Sequence, residues 1–256
     1  MPGDSDTPIM IHIYPDRESL SRAAAAAFVE RARGIQKVQG RVSVALAGGR
    51  TPRRTYELLA QPPFRDQLDW KKVHVFWGDE RCVPPDDPGS NARMAREVLL
   101  DHVPIPPGQI HPISCSHSAE TGASAYEAEL KNFFAGQPPR FDFMFLGLGQ
   151  DAHTASLFPA SPALFERARW TAAVSAAPRN LPRVTLTLPI INQAAFIAFL
   201  VFGSEKAKVL QAVLEGPHDP YRLPAQMVCP LAGELHWLVD QEAAAGLRLA
   251  KSGDTS

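Results

Sequence analysis

The segment LGLGQDAHTASLFP (146–159) places an aspartate and a histidine, Asp151 and His153, two positions apart directly after the apolar run FDFMF (141–145). A carboxylate beside an imidazole fixes one tautomer and raises its basicity. The other ring nitrogen is then left as a base near neutral pH, which is the chemistry of an activated water. A lone histidine after a strand is ordinarily a structural hydrogen-bonder; the neighbouring Asp151 and the hydroxyls of Thr154 and Ser156 set this one apart. The other carboxylate–histidine clusters, PHDP (217–220) and Asp101-His102, lie in a proline-framed loop and at a helix end and read as surface features.

Three further strand ends carry chemistry. In LAGGRTPRRTYELL (46–59), Gly48 and Gly49 make a tight turn, and Arg50 and Thr51 lead into a helix with a proline in its first turn. Such a helix N-terminus offers unpaired N–H groups and a positive dipole end to a phosphate. The spacing is neither G-x-x-x-x-G-K-[ST] nor G-x-G-x-x-G. In FWGDERCVPPDDPGSN (76–91), Asp79, Glu80 and Arg81 follow an apolar strand directly. An arginine there can fork onto a phosphate, and Asp79 can hold a sugar hydroxyl or a basic side chain. In RNLPRVTLTLP (179–189) and FGSEKAKVL (202–210), Arg179 and Arg183 precede a strand, while Lys206 opens a helix against the dipole. A bound anion removes that conflict.

These groups need elements to position them. Apolar, β-branched or aromatic runs predict strands at 9–14, 42–47, 73–77, 141–146, 183–188, 195–202 and 235–239, with a further strand-like run around 170–175. Helical patterns occupy 17–33, 53–60, 91–101, 118–134 and 204–215. Near-continuous apolar strands alternating with helices predict an α/β fold: an open, doubly wound, mainly parallel sheet with helices on both faces. The alternation fails between residues 160 and 190, which argues against a (β/α)₈ barrel and for some antiparallel or edge elements. In such sheets ligands bind outside the carboxyl ends of the strands, where the four segments fall. No repeat or linker marks a boundary, so the expectation is one α/β domain over 1–256 with a core from about residue 9 to 247.

With 26 Lys and Arg against 27 Asp and Glu, the net charge is −1. No global field draws nucleic acid or an anionic membrane, and an anionic ligand must be met by locally placed cations. The longest apolar run, AAFIAFLVFG (194–203), has strand length, well short of the roughly 18 residues of a membrane span. The opening MPGDSDTPIM has no basic region followed by an apolar core, so no secretory signal is read and a cytoplasmic chain is expected. Cys82, Cys115 and Cys229 are odd in number and widely spaced, without zinc-type spacing, and are expected to be reduced and mostly packed. No metal and no cofactor is called for.

Taken together, AGGRTP, GDERCVPPDDPGSN, LGLGQDAHTASLFP, RVTLTLPIIN and FGSEKAKVL resemble the 6-phosphogluconolactonase family, in register from about residue 15 to 240. The resemblance implies a fold related to glucosamine-6-phosphate deaminases and ribose-5-phosphate isomerases. It also implies metal-independent hydrolysis of 6-phospho-D-glucono-1,5-lactone, the second step of the oxidative pentose phosphate pathway. The family's catalytic histidine falls on His153, with Asp151 or another carboxylate orienting it. Its phosphate-binding and polar groups fall on Gly48, Gly49, Arg50, Thr51, Asp79, Arg81, Arg183 and Lys206. The implied partner is a small phosphosugar lactone, with a monomer expected and glucose-6-phosphate dehydrogenase and 6-phosphogluconate dehydrogenase as functional neighbours. Two positions depart from the family pattern: Ala152 stands where Asp-Gly-His is usual, and Ala160 where a glycine usually follows Leu-Phe-Pro. If residue 152 needs positive φ, alanine costs on the order of 1 kcal/mol.

Two other readings compete. A glucosamine-6-phosphate deaminase resembles the chain in its Gly-rich loop and Asp-Gly-His turn, but it continues with a catalytic glutamate soon after the histidine. Here ASLFPASP (155–162) holds no carboxylate before Glu166. A non-catalytic sugar-phosphate sensor calls for an N-terminal helix-turn-helix, whereas the first 40 residues read as a strand followed by an alanine-rich helix.

Overall fold

A computed structural model describes residues 9–115, 117–175 and 181–248. Arg179, singled out above, lies outside the described residues. Among the described residues the strands are β1 (Ile9–Tyr14), β2 (Val42–Leu46), β3 (Val73–Trp77), β4 (Asp79–Arg81), β5 (Phe143–Gly147), β6 (Thr171–Val174), β7 (Arg183–Leu186), β8 (Phe196–Val201) and β9 (Glu234–Asp240). The α-helices are α1 (Arg17–Gln39), α2 (Arg50–Leu59), α3 (Asn91–Val98), α4 (Ala119–Phe134), α5 (Leu188–Ile191), α6 (Ala207–Glu215) and α7 (Gln241–Ala244).

Six strands form a wholly parallel sheet in the order β1-β9-β8-β5-β2-β3. Its inner strands VSVAL and FIAFLV are buried at every position, which is why they read as unbroken apolar runs rather than as alternation. Helices α1 and α2 pack on each other and on this sheet. Helix α1 runs past the expected stop at Gly34 and ends at Gly40, whose left-handed φ of 76° closes it. A Cβ at Gly34 would meet nothing within 4 Å, so this glycine interrupts no packing and the helix simply continues.

Three strands make a second, antiparallel sheet in the order β4-β7-β6. The chain splits off the parallel sheet at Gly78, whose N–H donates to Leu46 O (2.9 Å) while its carbonyl accepts from Leu186 N (2.8 Å). Asp79–Arg81, which follows β3 directly, is itself a short strand in register with Arg183–Thr185. Helix α4 joins the two sheets. The Tyr126 hydroxyl accepts from Trp77 N (2.9 Å) and donates to Trp77 O (3.1 Å), while Thr171 Oγ1 donates to Ala123 O (2.6 Å).

The expectation of reduced cysteines is corrected for two of the three. Cys82 and Cys115 form a disulfide with a Cα–Cα separation of 5.0 Å, and Cys229 is half-buried and outside the disulfide. The pairing of β4 with β7 carries Cys82 across to the segment preceding α4, a proximity that sequence spacing does not reveal. No helix among the described residues is long and apolar enough to cross a membrane.

Candidate active site

A cavity of about 230 Å³ opens at the carboxyl ends of β2, β3, β5 and β8. Gly48, Gly49, Arg50, Thr51, Asp79, Arg81, Arg183 and Lys206 all line it, together with His153. Asp151 stands behind the histidine and does not reach the wall. A larger groove of about 1180 Å³ lies between α1 and the amino-terminal ends of the strands. Its arginines are already engaged: Arg31 with Glu234 and the Phe196 ring, Arg41 with the Phe133 ring, Arg140 with Ala232 O. Chemistry, not size, picks out the smaller cavity.

The loop after β5 is shaped around His153. Its ring nitrogen Nδ1 hydrogen-bonds Asp151 Oδ1, its backbone N–H donates to the same oxygen (3.3 Å), and its carbonyl accepts from Gly149 N (2.8 Å). A Cβ on Gly149 would stand 2.1 Å from Nδ1, so only glycine lets the ring lie against the turn. The other face of the ring meets Phe158 at 4.5 Å between centroids. Burial raises the Asp151 carboxyl, but the hydrogen bond and charge of His153 outweigh it and hold the group below its ordinary value. Asp151 is thus an anion that fixes the Nδ1–H tautomer. Among the described residues nothing takes Nε2.

Ala152 sits in this loop at φ 64° and fully buried, with Ala155 at φ 47° and Ala160 at φ 57° close by. The left-handed conformation that glycine would take freely is held here by alanines, through Ala152 N to Gly149 O (3.1 Å), Ala225 N to Ala152 O (3.0 Å) and Ala160 N to Tyr221 O (3.1 Å).

The first turn of α2 is the open end of the cavity. Gly49, at φ 98°, occupies the N-cap position and supplies no capping side chain. Tyr56, about two helical turns on, clamps the end of β2 by accepting from Ala47 N (2.9 Å) and donating to Ala47 O (3.0 Å). Helix α3 is closed in the opposite manner. The buried Glu80 carboxylate accepts from Asn91 N (2.8 Å), Ala92 N (2.8 Å) and Ser90 Oγ (3.0 Å), and Ser90 Oγ caps Arg93 N. Burial raises the Glu80 carboxyl above its ordinary value against those N–H groups. Of these two helix N-termini, only that of α2 is left uncapped by its own side chains.

The remaining wall is polar and fixed. Asp79 accepts from Ser156 Oγ (2.6 Å) and Asn91 Nδ2 (3.3 Å) and faces Arg183 Nη1 at 3.7 Å. Arg81 donates to Gly89 O (2.5 Å). Lys206 directly precedes α6 beside Gly203, whose N–H is held by Asp240. Burial lowers the Lys206 ammonium below its ordinary value, Arg50 adding to the effect and Glu205 and Asp151 opposing it. Glu205 also lines the cavity, 3.7 Å from Arg50. Asn91, Ser156, Gly149 and Glu205 were not assigned from sequence. Asn91 ends the quoted PPDDPGSN run, and Ser156 follows the histidine, so position alone hinted at both.

A parallel α/β sheet that gathers a histidine and several cations at its strand ends, around a small polar cavity, has counterparts. The chain belongs to the glucosamine-6-phosphate isomerase/6-phosphogluconolactonase family, whose sequence profile matches residues 15–237. It is 46% identical over 214 residues to a 6-phosphogluconolactonase of Synechocystis sp., covering 82% of this chain and 86% of that one. The solved 6-phosphogluconolactonase of Trypanosoma cruzi superposes with a TM-score of 0.84 at 29% identity, covering 94% of this chain and 98% of its own. A monomeric glucosamine-6-phosphate deaminase shares the fold, with a TM-score of 0.78 at 21% identity and coverage of 93% and 99%.

Proposed function

We propose that the chain hydrolyses 6-phospho-D-glucono-1,5-lactone to 6-phospho-D-gluconate, with His153 activating the attacking water. The observation that carries this reading is the His153 ring, tied by Nδ1 to Asp151 and with Nε2 untaken, on a cavity whose other end is the uncapped start of α2 beside Arg50 and Lys206. The substrate phosphate sits at that start, where N–H groups and two cations meet it. The lactone ring then extends toward His153. Nε2 takes a proton as the water oxygen bonds to the lactone carbonyl carbon. The resulting oxyanion faces backbone N–H groups of a strand-end turn or the cation Arg183. Its collapse breaks the bond from that carbon to the ring oxygen, which takes the proton back from the imidazolium and leaves as a hydroxyl. General base catalysis of this kind supplies roughly 10²- to 10⁴-fold. Asp79, locked by Ser156 and Asn91, is placed to accept from a sugar hydroxyl.

The deaminase chemistry lacks its carboxylate here. Glu166, the first after the histidine, is turned to the backbone N–H groups of Arg167, Ala168 and Arg169 and does not line the cavity. The chain acts as a monomer between a dehydrogenase that makes the lactone from glucose-6-phosphate and one that oxidises the acid. The test generates the lactone in situ with glucose-6-phosphate dehydrogenase and follows its disappearance with and without the protein. Acceleration over spontaneous hydrolysis is expected; an unchanged rate sinks the reading.

A further inference from the structure

The Cys82–Cys115 disulfide begins one residue after Arg81, yet neither cysteine lines the cavity. It closes a ring of chain, with a sequence separation of 33, that contains the whole of α3 and the loop before it. Three contacts make this loop part of the binding wall. Gly89 O holds the Arg81 guanidinium, Asn91 holds Asp79, and Ser90 with the Asn91 and Ala92 N–H groups holds Glu80.

The two ends of the bridge differ in stiffness. Cys115 belongs to a segment pressed on α4, where a Cβ at Gly122 would lie 2.5 Å from Ser114 O and 3.4 Å from Cys115 Cα. On the other side the chain leaves its sheet at Cys82, whose N–H makes the last cross-strand bond, to Pro182 O (2.8 Å). It then runs through exposed Pro84, Pro85 and Asp86. The disulfide therefore fastens an exposed loop to a rigid helix at the point where that loop begins to carry binding groups. A cleft of about 500 Å³ gives onto the bridge, lined by Cys82, Pro84, Arg93, Arg96, Ile113 and Cys115, and both cysteines are half-buried rather than sealed.

We propose that Cys82–Cys115 is a reversible thiol–disulfide site, opened by a dithiol reductant, and that its state sets substrate affinity through the hold on Arg81. The effect on affinity rests on the reading of the cavity as the phosphosugar site. In the reaction a thiolate of the dithiol attacks one cysteine sulfur, and the S–S bond breaks. The other cysteine leaves as a thiolate and takes a proton, its departure favoured by the arginines of the cleft. The second thiol of the reductant then resolves the mixed disulfide. Two electrons and two protons pass to the bridge, and the reductant leaves as its own disulfide. Once open, the loop keeps its hydrogen bonds to Glu80 but loses its anchor. Arg81 must then be ordered at the expense of binding, while His153 and Asp151, on a different loop, are untouched.

The test prepares the full chain oxidised and reduced with dithiothreitol, and counts alkylatable cysteines by mass spectrometry. Lactone kinetics and 6-phosphogluconate binding by calorimetry follow in both states. One alkylatable cysteine is expected when oxidised and three when reduced. KM and the product dissociation constant should rise roughly two- to tenfold on reduction, the scale of ordering one such side chain, with kcat unchanged. The Cys82→Ser/Cys115→Ser variant should sit at the reduced values and ignore dithiothreitol. Three alkylatable cysteines under oxidising conditions would overturn the proposal. So would affinity that does not follow the counted redox state, or a double variant that still responds. Absent turnover with redox-dependent binding of 6-phosphogluconate would instead sink the lactonase reading and uphold the bridge.

Discussion

Two carboxylate–histidine arrays in this molecule use the same groups to opposite ends. In the loop after β5, Asp151 takes Nδ1 of His153 and the ring presents Nε2 to a cavity. At the outer edge of the parallel sheet, Glu129 takes Nδ1 of His111 (2.7 Å), and Nε2 of that ring meets His74 Nδ1 (3.2 Å). The His111 ring is stacked on Phe76 at 4.2 Å and leaves no nitrogen unused. Burial, then the charges of His111 and Arg41, pushes His74 down to about 4, so the His74 ring stays neutral through the range in which a base works. A carboxylate beside a histidine is therefore not a site in itself. What decides is whether the second nitrogen is spent on the fold.

The comparison breaks first at His153. His153→Asn should lower kcat by roughly 10²- to 10⁴-fold while 6-phosphogluconate still binds, and Asp151→Asn should lower it by less. Unchanged turnover with reduced thermal stability, measured on the same preparation, would make His153 a structural histidine like His111. The second effect concerns what the productive geometry costs. Ala152→Gly removes left-handed strain worth about 1–2 kcal/mol for an L-residue and gives back part of it as chain entropy. A net gain of roughly 0.5–1 kcal/mol should raise Tm by about 1–4 °C; a fall in Tm would mean that the buried methyl packs better than the backbone is strained. The smallest effect lies in the other array. The unfolded chain protonates His74 near pH 6.5 and the folded chain only near about 4. Stability is thus intact above the upper value and declines as pH falls toward the lower one. The lowered His236 acts in the same direction. His74→Phe should therefore lose less Tm between pH 7 and 5 than the parent chain; an equal slope removes His74 from the account.

The parallel sheet was legible because VSVAL and FIAFLV are buried on both faces and say so in their composition. The strand-end rule then carried the eye to Gly48–Thr51, His153 and Lys206, which do converge. Asp79–Arg81 carries no strand signature in its three charged residues; pairing with β7, more than a hundred residues away, overrides propensity. The same long-range pairing made the cysteine bridge invisible. Ala152 departs from the family motif in sequence, and its φ of 64° is the left-handed conformation that the usual glycine takes freely. Asn91 and Ser156 were passed over because their work is to hold Asp79, and a residue that acts through another leaves no motif of its own.

The cavity draws on segments from Gly48 to Lys206, and β8, which leads to Lys206, is hydrogen-bonded to β5, which leads to His153. No local piece of the chain supplies both walls of the cavity. During refolding, helices and turns form early and cheaply, while distant parallel strands dock late. With the proposed site, turnover is a clock for the final event of assembly: it starts only when β8 has found β5, and a molecule with all its helices but without that contact is catalytically silent.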